Sequence, residues 1–185
     1  STTYLKDDTY IEYRDLYERT KYVPHRLAEI WTRANRCIET DFVLSLEDDM
    51  EPINPQGANR LYEGMAADVD AVTGLYHSRP LTGIQDWLLR DWITQKDGSS
   101  ALTPKMRYPG DLPNPPNDGC ITIGATGVGF MLIRRDAMRG YDGNIGAPER
   151  YLGMDFALCR HIKERGFRIM AHCGVKLRHW QDAEN

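Results

Sequence analysis

The sequence predicts a single α/β domain built on a mostly parallel sheet. Short, almost continuously apolar runs recur along the chain, and segments with apolar residues at helical spacing lie between them. The 185 residues suit one domain with a real hydrophobic core, and 41% hydrophobic with 27% charged residues is an ordinary globular composition. No repeat and no linker divides the chain, so residues 1–185 are read as one unit.

Residues 1–23 are rich in Tyr, Asp, Glu and Arg without a clear period and are read as an N-terminal arm. Pro24 suits the first turn of a helix, where its missing N–H has no partner to lose. Leu27, Ile30, Trp31, Ala34 and Ile38 then define one apolar helical face. Phe42-Val43-Leu44-Ser45-Leu46 reads as a strand covered on both faces, and it ends abruptly in Glu47-Asp48-Asp49. Asn54-Pro55 predicts the start of a helix running to about Ala67. Ala71 to Tyr76 is the next strand.

Residues 77–119 hold six of the ten prolines, together with Trp87, Trp92 and Tyr108, and read as a long irregular loop. Loops of that length in compact domains are usually functional or disordered. A short helix is expected within it, over Leu81 to Ile93. Ile121 to Arg135 predicts a glycine-punctuated strand, with Asp136 capping a short helix. Asp155 to Arg165 follows as a helix stopped by Gly166. Phe167 to Ala171 and Val175 to Trp180 close the chain as two strands.

The net charge of −4 supplies no general drive toward nucleic acid or anionic membranes. No apolar run approaches the roughly 20 residues that span a bilayer, and no signal-peptide pattern is present. The expectation is a soluble, cytoplasmic protein, although the start at Ser1 leaves room for a removed leader. Cys37, Cys120, Cys159 and Cys173 are too scattered for a zinc motif and too few for a disulfide scaffold. They are expected to be reduced, mostly buried thiols. His161 and His172, with Cys159 and Cys173, match no standard zinc spacing.

Three acidic side chains directly after a buried strand repel one another unless something positive offsets them. In an open α/β sheet that position is the carboxyl end of a strand, where ligands bind. A divalent cation is the natural counter-charge, and hard oxygen ligands in small number suit Mg²⁺ or Mn²⁺. A solvated acidic turn is the ordinary alternative for the tripeptide alone.

The surroundings shift the balance. An apolar strand, an acidic triplet, a helix and a strand are followed by an irregular loop, a glycine-rich strand, an acidic helix start and a late histidine. This order resembles the GT-A glycosyltransferases, particularly the family 2-like members and the N-acetylglucosaminyltransferases that carry Glu-Asp-Asp in place of Asp-x-Asp. The resemblance covers residues 24 to about 180. It implies a metal-dependent transferase moving a sugar from a nucleoside-diphosphate donor, a UDP-sugar by family preference, to an acceptor hydroxyl. The acceptor could be a polysaccharide, a lipid-linked glycan, a protein or a modified nucleic acid base.

The resemblance also assigns roles. Asp49 would bind the metal, with Glu47 and Asp48 toward the ribose, the sugar or metal-bound water. His179, in Leu177-Arg178-His179-Trp180, would complete the metal site. Gly124-Ala-Thr-Gly127-Val-Gly129 resembles the family segment lining the donor sugar, and small residues let a ligand approach the backbone. A tightly packed strand explains those glycines equally well. Gly153-Met154-Asp155 resembles the family's acidic motif, so Asp155 would act as the base of an inverting reaction. Helix capping also favours a carboxylate there. Arg79 is a candidate for the diphosphate, and Trp87, Trp92 and Met154 for the acceptor. Only 46 residues precede Glu47, so the fold is expected to be shortened at its N-terminal, base-binding side.

Two rivals remain at the level of sequence. A nucleotidyltransferase uses a similar sheet and metal carboxylates but wants a glycine- and lysine-rich phosphate loop near its start, which is not visible. A GT-A-like module that binds nucleotide or glycan without turnover is the other.

Overall fold

The computed structural model describes residues 31–47, 49–76, 89–98, 100–102, 118–141 and 154–179. The expected arm over residues 1–23, the Pro24 turn and most of the long loop lie outside them, as do Asp48, Arg79, Trp87 and Tyr108. Met154 and His179 are described by their backbone alone.

A helix over residues 31–36 (α1) leads into β1 (Phe42–Leu46) and β2 (Met50–Pro52). Next come α2 (Gly57–Glu63) and β3 (Ala71–Leu75). Short strands β4 (Leu89–Arg90), β5 (Trp92–Thr94) and β6 (Ser100–Leu102) precede β7 (Cys120–Ile123), β8 (Ala125–Thr126) and β9 (Phe130–Arg134). The chain continues through α3 (Arg135–Met138) and α4 (Met154–Glu164) to β10 (Ile169–His179).

The main sheet has the order β1-β9-β3-β10-β2, with β7 also paired to β10. Only β3 and β10 pair in parallel among the described strands; β1 with β9, β9 with β3, β10 with β2 and β10 with β7 are all antiparallel. The fold is therefore mixed α/β, and the expectation of a mostly parallel sheet is corrected. β9 enters between β1 and β3 and runs against both. Apolar runs and helix-strand alternation say that a strand is buried, not which way it runs.

Alternation along the central strands separates two cores. Ala71, Leu75, Met131, Ile133, Ile169 and Ala171 face one side, where Leu158, Cys159 and Ile162 of α4 and Met138 of α3 cover them. Val72, Phe130, Leu132, Val175 and Leu177 face the other, under Leu61 of α2. Period-2 burial on both faces of a sheet with helices on each side is what an α/β sandwich requires. Asn35 Nδ2 ties α1 to the end of α3 by donating to the carbonyls of Met138 (3.0 Å) and Tyr141 (3.2 Å).

Several boundaries move from their sequence expectation. β1 is not covered on both faces: Leu44 and Leu46 are 43% and 55% exposed. α2 starts after Gln56 and stops at Glu63, short of Ala67; Asn54 Oδ1 accepts from Gln56 N–H (2.8 Å) in the turn before it. Leu89–Thr94 forms two short strands in place of the end of a helix, because Leu89 and Arg90 pair with β8 and Trp92–Thr94 with β6. The glycine-punctuated strand is three strands, interrupted at Gly124 and around Gly129. β10 is one strand where two were expected, with its register against β3 shifting between Ala171 and Lys176. Gly166 does close α4, with φ of 82°, a left-handed conformation that glycine adopts freely.

Candidate active site

β1 and β3 both run antiparallel to β9, so their carboxyl ends point the same way, and β10 joins them by pairing in parallel with β3. Three residues stand at or just past those ends: Glu47 after β1, Tyr76 after β3, and His179 at the end of β10. β9 begins at the same edge. Its Phe130 faces Leu46, which sets Gly129 opposite Glu47.

The Glu47 N–H donates to the Gly129 carbonyl (2.9 Å), and the Glu47 carbonyl accepts from Met50 N–H (3.1 Å), closing a tight turn into β2. Asp49 lies in that turn, partly buried, with its Oδ1 oxygen shut off from solvent. A Cβ on Gly129 would stand 3.1 Å from Glu47 Oε2 and 2.8 Å from Met50 Cε. The glycine is what lets the Glu47 carboxylate and the Met50 side chain close over this backbone.

Beyond Leu75, β10 carries on and pairs with β2, His179 standing opposite Met50. A strand from the middle of the sheet is thereby drawn to the turn that follows β1. Three residues of chain reach about 10 Å. The backbone of His179 thus lies within roughly 15 Å of Glu47, opposite Met50, the residue that follows Asp49.

Asp155 enters from the first turn of α4, and Phe156 to Cys159 behind it are buried in the core. Burial pushes its carboxyl up to about 7, and the Glu47 charge pushes in the same direction. Tyr76 is 3% exposed, and its hydroxyl accepts a hydrogen bond from Gly129 N–H (3.3 Å). Burial, then the charge of Asp155, raises the Tyr76 phenol well above its ordinary value, with Glu47 adding to the rise. Burial of Tyr76 and partial burial of Asp155 leave the charges around them weakly screened, so Glu47, itself exposed, still acts on both. One turn along α4, Cys159 Sγ donates to the Thr126 carbonyl (3.4 Å), and burial pushes that thiol up to about 12. It is a packing group.

The tertiary structure thus joins Glu47 to Gly129, sets Asp155 within range of the Glu47 charge, and pairs the backbone of His179 with Met50 beside Asp49. Gly127 lies buried in the β8–β9 connection, two residues before Gly129. Trp92 is not brought to them. Its ring lies 5.9 Å from the Lys163 ammonium, eight residues and about 12 Å along α4 from Asp155. Tyr76 is the residue that the sequence reading missed. It sits where a strand ends beside the acidic turn, but nothing local distinguishes it from an ordinary strand-terminal tyrosine.

A half-buried carboxyl of raised pKa within range of a second carboxylate's charge is an arrangement suited to proton transfer. Glu47 and Asp49 offer hard oxygen donors in the number that Mg²⁺ or Mn²⁺ takes from a protein when phosphates supply the rest. Asp49's enclosed oxygen fits such a ligand. Among the described residues, no group of three or more His, Cys, Asp and Glu side chains is placed to hold a metal ion. Among them, too, no helix is long and apolar enough to cross a membrane.

No protein-family model matches the chain, and no curated protein matches it. Twelve chains of solved structure do match. One is the crystal structure of A197 from STIV, at 17% identity and a TM-score of 0.53, covering 86% of this chain and 68% of that one. At that identity the likeness concerns the fold alone: this chain shares a mixed α/β architecture with A197 from STIV.

Proposed function

We propose that the chain is a metal-dependent glycosyltransferase of the GT-A type, transferring a sugar from a nucleoside-diphosphate donor, UDP-linked by the family resemblance, to an acceptor hydroxyl. One observation supports the reading above the rest. Burial pushes the carboxyl of Asp155, the residue nominated as base, up to about 7, and the charge of Glu47 of the acidic triplet adds to the rise. A general base works best when its pKa lies near the working pH.

Asp155 takes the proton of the acceptor hydroxyl as that oxygen attacks the anomeric carbon, and the configuration inverts. Tyr76 and Gly129 form the wall behind the carboxylates and keep water from that side. Glu47 and Asp49, with His179 beside them, would hold Mn²⁺ or Mg²⁺. A bound divalent cation supplies Lewis-acid stabilisation of the departing diphosphate.

The test is hydrolysis of UDP-sugars, each assayed with and without Mn²⁺, in the native chain and in Asp49→Ala and Asp155→Asn. The reading expects cation-dependent release of UDP, abolished in Asp49→Ala and reduced at least about a hundredfold in Asp155→Asn. UDP binding without turnover of any donor would instead favour a binding module.

A further inference from the structure

Four residues of β10, His172 to Val175, stand against Gly74 alone where the strand shifts its register on β3. Before this bulge β10 pairs with β7 and β3; after it Lys176 rejoins β3 and Leu177–His179 pair with β2. The bulge therefore sets where the end of β10 meets Met50 and the acidic turn. Gly174 lies within it, and its N–H donates to Nδ1 of the His172 ring at 3.2 Å. That ring is buried, with His172 only 7% exposed.

A nitrogen that accepts from an N–H carries no proton itself. The Gly174 bond therefore exists only while His172 is neutral with its hydrogen on Nε2. The same Nδ1 stands 3.7 Å from Asp118 Oδ1. Asp118 is fixed by the Gly119 N–H at 3.1 Å and by Arg60 Nη1 of α2, 3.2 Å from each carboxylate oxygen. A Cβ on Gly174 would run into Asp118 Oδ1 and stand 2.8 Å from Arg60 Nη1, so glycine lets this ion pair close over the bulge. Among the described residues, the titratable and charged neighbours of the ring are Asp118 and Cys120 on the β7 side, Arg60 from α2, and Cys173 and Lys176 along β10.

Protonation exchanges one partner for another. A proton on Nδ1 turns the ring and the Gly174 amide into two donors facing each other. It also offers Asp118 a charge-assisted bond, normally about 2.8 Å long, for a movement of roughly 1 Å from the present 3.7 Å. An asparagine would hold the same amide without this second state, whereas imidazole as a class changes charge between about pH 5 and 8. We propose that His172 is a pH-sensitive latch on the β10 bulge: neutral, it holds the Gly174 amide, and protonated, it turns to Asp118 and frees that amide and the strand end beyond it. The latch uses none of the side chains of the transferase reading and reaches their site only through the β10 backbone, so it stands independently of that reading.

The test is NMR on the ¹⁵N-labelled full chain at pH 5 and pH 8, without donor or metal. Long-range proton–nitrogen spectra report which ring nitrogens of His172 carry hydrogen, and amide exchange, corrected for its intrinsic pH dependence, reports Gly174. At pH 8 a bare Nδ1 and a protected Gly174 amide are expected. At pH 5 the ring should be charged and the Gly174 protection at least about tenfold lower, with exchange rising in the β10 residues paired with β2. Amides of β9, away from the bulge, report global opening and should not follow. In His172→Asn the side-chain oxygen accepts without titrating, so the protection of Gly174 should be the same at both pH values. Asp118→Asn removes the charge that receives the protonated ring, so release should shift to lower pH. Circular dichroism establishes that the variants are folded; if they are not, the two readings on the native chain decide. A ring still uncharged at pH 5, equal Gly174 protection at both pH values, or a release that persists in His172→Asn overturns the proposal.

Discussion

The amide of Gly129 is bonded to the hydroxyl of Tyr76 across 3.3 Å, and this contact ties the residue before β9 to the residue after β3 at the floor of the carboxylate site. The Gly129 carbonyl is engaged from the other side by Glu47 N–H. One residue without a side chain therefore holds the ends of β1 and β3 in place, and Glu47 rests over it.

Tyr76→Phe removes the acceptor of the Gly129 N–H in a buried place. An orphaned buried donor costs about 1–3 kcal/mol. Chemical denaturation should show a loss in that range with an unchanged m-value.

Gly129→Ala puts a methyl 2.8 Å from Met50 Cε and 3.1 Å from Glu47 Oε2. The tip of Met50 is flexible and can give, so the variant should fold, with a loss of about 1 kcal/mol. The Glu47 carboxylate must also move. Any metal-dependent activity should therefore fall by more than the stability change accounts for, as a comparison of melting temperature and turnover will reveal.

Asp155 sets a pH dependence whose sign follows from its shift. Its carboxyl titrates near 7 in the fold against an ordinary 3.8. Below pH 3.8 both states are protonated. Between about 4 and 7 the folded chain keeps a proton that the unfolded chain has lost, so the folded form loses relative stability as pH rises, and the loss levels off above 7. Allowing for partial exposure, its size is of order 2 kcal/mol. Urea unfolding at pH 5 and pH 8 should show this difference in the native chain and not in Asp155→Asn.

A divalent cation that binds Glu47 and Asp49 should reverse part of that loss. Mn²⁺ at a hundred times its dissociation constant stabilises by about 2.7 kcal/mol. The rise in melting temperature should be larger at pH 8, where Asp155 is charged as well, than at pH 5, and absent in Asp49→Ala.

All four cysteines carry free thiols, and they differ in access. Cys159 is fully buried with its thiol pushed up to about 12, and Cys120 and Cys173 are also raised by burial. Cys37 is exposed. A chromogenic disulfide reagent at pH 8 should titrate one thiol rapidly in the native chain and four only after denaturation.

What the amino-acid sequence determined unaided is whatever depends on near neighbours. The apolar run Phe42–Leu46 and the spacing within α4 announce their elements, and Gly166 stops that helix because no other residue turns left-handed so cheaply. An acidic turn at a strand end and an acid at a helix start were legible as candidate chemistry for the same reason. The tertiary structure alone decided that β9 runs backward between β1 and β3, that Leu89–Thr94 pairs as strands, and that Trp92 stands with Lys163 far from Asp155. It also decided that Tyr76 closes the carboxylate site. Strand direction and partnership are chosen by hydrogen bonds and burial between residues tens of positions apart, as between Gly129 and Tyr76, and no local period records that choice.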